Sequence, residues 1–130
     1  MRRNRWSDAS LAKARSRGRG GRVIALRPLE REVLRDCLAY LNAHPAVAFA
    51  FRANTGLVAT PDGKRRFKAG FKGCSDILGM LRCGRFLAVE CKRTGEMPTP
   101  AQWSFLSRVN VNGGLAFIAS CIEDCQRALR

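Results

Sequence analysis

The sequence predicts an α/β (α+β) domain, a small mixed β-sheet flanked by helices in the order αβββαβα. Three features carry that expectation. The stretch "RPLEREVLRDCLAYLNAHP" sets Leu29, Val33, Leu34, Cys37, Leu38 and Leu41 on one face at helical spacing. Short apolar segments, "AVAFAFR", "DILGML" and "FLAVECK", are each bounded by turn residues, as strands are. The tail "TPAQWSFLSRVNVNGG", "LAFIAS", "IEDCQRALR" reads as helix, strand, helix.

Taken in order, the first helix has Pro28 suited to its first turn and Pro45 beyond its end. The first strand alternates Val47, Phe49 and Phe51 with smaller residues and runs into a turn at Asn54 and Gly56. "TPDGKRRFKAGFKG" is rich in glycine and cations and reads as a basic, mobile connection. The next strand starts at Asp76, and Gly84 turns the chain into "FLAVECK", so that these two strands form a hairpin. Period-two alternation puts Ala88, Glu90 and Lys92 on one face of the second of them and Leu87, Val89 and Cys91 on the other. In the following helix Thr99 suits the cap, Pro100 the first turn, Gln102 the capping-box position and Gly113 the exit.

A chain of 130 residues suffices for one domain with a proper core. Its 24 Lys and Arg against 10 Asp and Glu leave a formal charge of +14, the balance of a protein that meets a polyanion, nucleic acid first of all. Residues 1–27 hold nine basic residues against Asp8 alone and include "RSRGRGGR", so residues 1–22 read as a basic, disordered arm and residues 23–130 as the folded domain. No apolar run approaches the roughly 20 residues that cross a bilayer, and the expectation is a protein with no membrane association, inside the cell. The six cysteines form no CxxC pair and His44 stands alone, which points to reduced, mostly buried thiols rather than a zinc site.

Against this charge, Asp76 and Glu90 sit inside two of the most apolar segments. A carboxylate among Ile77, Leu78, Leu87 and Val89 loses hydration unless a cation compensates it. The hairpin gathers Asp76, Glu90 and Lys92 at one edge, a set that suits a magnesium ion: hard, oxygen-seeking and able to activate a retained water. Lys92 then positions that water or stabilises developing charge. Arg52 and Asn54 at the end of the first strand, with Arg65, Arg66, Lys68 and Lys72 in the loop before Asp76, are suited to phosphate contact.

An Asp, a short gap, then E-x-K on a strand resembles the signature of the PD-(D/E)XK nuclease superfamily, here Asp76, Glu90, Cys91 and Lys92. "FRANTG", "GCSDILG", "GRFLAVECK" and "TPAQWSFLSRVNVNGG" look like its VRR-NUC branch, including small standalone phage and bacterial members, over about residues 30–125. Ser75 replaces the proline that precedes the Asp in the strict motif. The resemblance implies a restriction-endonuclease-like core and a metal site of Asp76, Glu90, the Cys91 backbone carbonyl and a glutamate from the first helix. It offers two candidates there, Glu30 and Glu32; the helical wheel puts Glu30 in the apolar stripe and favours it. It also implies that Gln102 lies near the site.

The expected function is a magnesium-dependent DNA endonuclease, with manganese as a substitute, selective for branched DNA such as junctions or flaps. A homodimer in the cytoplasm of a bacterial or phage-infected cell is implied with it, and no small-molecule substrate. The alternatives are a non-catalytic nucleic-acid-binding protein on a nuclease-like scaffold and an RNA-directed enzyme, since phosphate chemistry does not identify the sugar.

Overall fold

The computed structural model describes residues 27–53 and 56–130; the arm at 1–22 and Asn54 lie outside the described residues. Among the described residues three helices and six strands follow in the order α1 (Glu30–Ala43), β1 (Val47–Arg52), β2 (Gly56–Ala59), β3 (Arg66–Ala69), β4 (Ile77–Leu81), β5 (Phe86–Cys91), α2 (Pro100–Val111), β6 (Leu115–Ala119) and α3 (Ile122–Ala128). A four-stranded mixed sheet runs β1-β4-β5-β6, antiparallel except for the parallel pair β5 and β6. The fold is thus mixed α/β. Among the described residues no helix is long and apolar enough to cross a membrane.

Two strands were not expected. The stretch read as a mobile basic connection contains the antiparallel pair β2 and β3. Its turn is closed by Thr60 N–H donating to the Arg65 carbonyl at 2.9 Å and by the Asp62 carboxylate, which accepts from Lys64 N–H at 3.0 Å. Polar side chains bonding nearby backbone hold this hairpin, and no alternation of apolar residues announces it. The start of α1 also differs: Leu29 is the cap and Pro28 precedes it, because Glu32 reaches back to accept the Leu29 N–H at 2.8 Å.

β5 is covered on both faces. Leu87, Val89 and Cys91 pack under α1 and α3 with Val33, Cys37, Leu41, Ile77, Leu81 and Cys125. Ala88 faces the other way, against Leu106 and Val109 of α2. All six cysteines are free thiols; Cys37, Cys74, Cys91 and Cys125 are buried, whereas Cys83 and Cys121 are exposed. The capping box of α2 forms as its sequence requires: Thr99 N–H donates to Gln102 Oε1 at 2.8 Å and Gln102 N–H to the Thr99 hydroxyl at 3.3 Å.

At the sheet edge a one-residue irregularity changes which way β1 faces. Val47 pairs with Leu81 but Phe49 pairs with Met80, so an extra residue is inserted between them. Simple alternation places Val47, Phe49 and Phe51 on one face; the bulge instead leaves Val47 in the core and turns Phe49 and Phe51 to the opposite face, where both are exposed. Ala50 takes the inward position, and Asn42 of α1 locks it by donating to its carbonyl and accepting its N–H, both at 2.9 Å.

The shifted register also brings backbone close to Gly79. A Cβ there would lie 2.3 Å from the Phe49 carbonyl oxygen. Gly79→Ala is expected to destabilise the fold by about 2 kcal/mol by forcing β1 away from β4, read as a lowered urea midpoint at unchanged slope.

Candidate functional site

Asp76 stands one residue before β4 and is fixed from several sides. Its carbonyl accepts Ala53 N–H at 2.8 Å, and its Oδ2 accepts the N–H of Cys91 at 2.9 Å. The approach to it is pinned by Gly73, whose φ is +83° and where a Cβ would lie 2.2 Å from the Ala101 carbonyl in the first turn of α2. Only glycine meets both demands. The carboxylate is thus bonded to the backbone between Glu90 and Lys92, a link that sequence spacing does not reveal.

Glu90 is 0% exposed, and neither of its carboxylate oxygens has a hydrogen-bond partner among the described residues. The Lys92 Nζ lies 3.1 Å from Oε1 as an ion-pair contact, outside hydrogen-bond alignment, with 13% of its side chain exposed. Burial first, and then the charge of Asp76, push the Glu90 carboxyl up to about 7, against the pull of Lys92. For Lys92 burial works to lower its pKa, but Glu90, Glu30 and Asp76 carry the ammonium above its ordinary range. The Ser75 hydroxyl, beside Asp76 in sequence, is also buried without a partner among the described residues.

The two glutamates of α1 have separated. Glu32 closes the helix cap, whereas Glu30 is exposed and its charge acts on Lys92. Helix and site are joined by the loop after β5: Arg93 Nε donates to the Pro28 carbonyl at 3.3 Å and Arg27 donates to the Thr94 carbonyl. Neither arginine was singled out from the sequence, and no local pattern marks such a clasp. Gln102 has its amide oxygen in the α2 cap.

Of the cations expected at phosphate, Arg52 ends β1 opposite Ile77, next to Asp76, and is exposed. Lys72 is exposed just before Gly73. Arg65 and Arg66 are exposed at the outer end of the β2–β3 hairpin, and Lys68 stands within β3 opposite Leu57. Asp76, Glu90 and Lys92 therefore form one cluster, with Arg52 and Lys72 close in the chain path and the hairpin cations farther out.

The donor set fits magnesium better than zinc. Among the described residues no group of three or more His, Cys, Asp or Glu stands together so that it could hold a metal ion, and Glu30 is thus not gathered with Asp76 and Glu90. Magnesium does not require one, since it is held by one or two carboxylates and keeps several waters. Asp76 and Glu90, close enough for the charge of the first to raise the second, are the two carboxylates that could take part in holding such an ion. No family model matches the chain, and no curated protein matches it.

The raised Glu90 pKa sets a pH dependence. The unfolded chain loses this proton near 4.5 and the folded one near 7, so stability from this group is greatest below pH 4.5, falls between 4.5 and 7, and is level above. In chelator, Glu90→Gln is expected to gain about 1 to 3 kcal/mol relative to the wild type between pH 5 and pH 8. Urea unfolding at both pH values measures it; a difference independent of pH would mean that Glu90 ionises normally.

Proposed function

We propose that this protein is a magnesium-dependent DNA endonuclease of the VRR-NUC branch of the PD-(D/E)XK superfamily, with a restriction-endonuclease-like core, selective for branched DNA. The observation that carries this reading is Glu90: a wholly buried carboxylate whose neighbours are Lys92, 3.1 Å from Oε1, and a second carboxylate, Asp76, whose charge raises its pKa. Two carboxylates sharing one ammonium leave a net negative charge in a buried place, which a divalent ion would compensate. Asp76, Glu90 and the Cys91 carbonyl would hold the ion, manganese being a substitute, with Glu30 approaching from α1. The bound metal supplies charge neutralisation at the scissile phosphate and a water of lowered pKa.

The chain's own groups do the rest. Asp76, tied to Cys91 N–H, fixes the spacing of the two carboxylates. Lys92 holds a positive charge and proton donors beside the place where charge develops on phosphate. Arg52 and Lys72 offer cations at its border, and the overall +14 draws the polyanion in. Cleaving both strands of a duplex needs two such centres, which a homodimer supplies by two-fold symmetry.

A second reading has its own support. The 3.1 Å contact between Lys92 and Glu90 compensates the buried charge without any metal, as it would in a nucleic-acid-binding protein on a nuclease-like scaffold. Labelled junction, flap, duplex and single-stranded DNAs, incubated with magnesium and with chelator, separate the two. We expect metal-dependent cleavage of branched substrates; no cleavage of any substrate under either condition favours the binding module.

Asp76→Ala and Glu90→Ala are each expected to abolish cleavage while DNA binding persists, since the attracting charge lies elsewhere. Near wild-type single-turnover rates in either variant would falsify the metal site. Glu30→Gln is expected to slow cleavage at least about tenfold, roughly 1.4 kcal/mol of barrier. Glu32→Gln is expected to leave the rate within about twofold, because its position serves the cap; a reversed ranking overturns the assignment of Glu30.

A further inference from the structure

The register that turns Phe49 and Phe51 outward builds a surface on the same face of the sheet as Glu90. Phe51 pairs with Leu78 and Leu78 with Ala88; Phe49 pairs with Met80 and Met80 with Phe86. Directly paired residues share a face, and Ala88 and Glu90 lie on one face of β5. α2 covers this face over β5 and β6 but leaves β1 and the end of β4 open. Phe49, Phe51 and Phe86 are 49%, 50% and 46% exposed. The Phe49 and Phe51 rings are nearly parallel, 21° apart in plane, with centroids separated by 6.4 Å, the outer limit of direct stacking, so their faces remain presented.

We infer that this open face is a stacking platform for unpaired nucleobases of single-stranded nucleic acid, running from beside Asp76 to the turn between β4 and β5. Three observations favour that occupant. Distance is the first: Leu78, opposite Phe51, is two residues along β4 from Asp76, about 7 Å of strand rise, so that a strand with its phosphate at the carboxylates lays its next bases on these rings. Charge is the second. Arg82, Arg85 and Arg108 stand at the turn and the α2 side of the face, Arg82 and Arg85 also donating to the carbonyls of Pro45 and of Gly113 and Gly114, and β1, β4, the turn and α2 contain no Asp or Glu. A second copy docked here by two-fold symmetry would set arginine against arginine, whereas a phosphodiester backbone is complementary to these cations.

The third is the far end of the platform. Phe86, Phe71, Phe105 and Arg108 line a cavity of about 650 Å³ there, with Phe71 edge-on to Phe105 at 5.1 Å. Exposed Phe71 and Phe86 with an exposed Arg at the mouth make a recess of the chemistry that accepts a flat aromatic base and its phosphate. Stacking of this kind is indifferent to base identity because every base has a π-face.

The inference rests on the reading above for where the phosphate lies, while the arginines and the rings act without metal, so binding is measured in chelator and cleavage separately. Full-length protein is titrated into a labelled 12-nucleotide oligo-dT, an abasic strand of equal phosphate number and a duplex of equal length, with sedimentation of each variant in parallel. The double variant Phe49→Ala, Phe51→Ala is expected to bind oligo-dT about tenfold or more weakly while its affinity for the abasic strand and the duplex stays within about twofold. Phe49→Tyr with Phe51→Tyr is expected to restore it. Equal losses on all three ligands, or none, overturn the platform. A dimer that becomes monomeric with oligo-dT affinity intact also overturns it and assigns the face to a second copy. Base-dependent binding without cleavage under magnesium sinks the nuclease reading and leaves the platform standing.

Discussion

A carboxylate held out of water at the end of the central strand constrains the rest of this molecule. Glu90 is fully buried because β5 is sandwiched, with α1 and α3 on one side and α2 on the other. Its ionisation is opposed by that burial and by Asp76, and Lys92 on the same face offsets them in part. Period-two geometry makes the offset possible, since two residues further along a strand is the nearest position that points the same way. Asp76 enters the cluster because β4 and β5 are antiparallel neighbours and its side chain bonds the Cys91 N–H. Moving any one of the three by a single residue would send it to the other face, into the packed core.

The same parity rule divides the two faces of the sheet by task. The face under α1 and α3 carries Val33, Cys37, Leu41, Ile77, Leu87 and Val89 and is a closed hydrophobic core. The opposite face carries Glu90, Lys92, Leu78, Met80 and Phe86, and α2 covers only part of it. The bulge between Val47 and Phe49 extends this division to the edge strand, sending one apolar residue inward and two rings outward. Bulges beside functional sites re-aim side chains in this way. Asn42, bonded to both backbone groups of Ala50, keeps the shifted register from slipping.

How much of this was legible in the sequence follows from whether the signal was local. Asp76, Glu90 and Lys92 could be read because an apolar strand interrupted by charge is visible in a few residues, and the hairpin through Gly84 is short. The α2 cap could be read because Thr99, Pro100 and Gln102 lie within one turn. The bulge could not, since Val47, Phe49 and Phe51 satisfy plain alternation and only the pairing with Leu81 and Met80 reveals the extra residue. The β2–β3 hairpin was hidden because side-chain bonds of Thr60 and Asp62 specify its turn, not an apolar pattern. The wheel favoured Glu30 by the apolar stripe, yet Glu30 is exposed; what distinguishes it is that Glu32 is drawn into the cap and that Arg27 and Arg93 clasp the loop after β5 to the chain entering α1. Contacts between residues more than sixty positions apart leave no trace in a short window.

Charge is arranged by the same economy of position. In a chain of net +14 the two carboxylates at the sheet end form a small acidic centre inside a basic periphery of Arg52, Lys72 and the hairpin cations. Were the carboxylates exposed, mobile lysines and arginines could neutralise them, and screening would weaken any pull on a divalent ion. Burial prevents this for Glu90, leaving Lys92 as its ion-pair partner at 3.1 Å, out of hydrogen-bond alignment. The group that costs the fold stability when ionised is therefore one whose charge a single ammonium, shared with Asp76, offsets only in part, and a divalent cation binding there would add to that compensation.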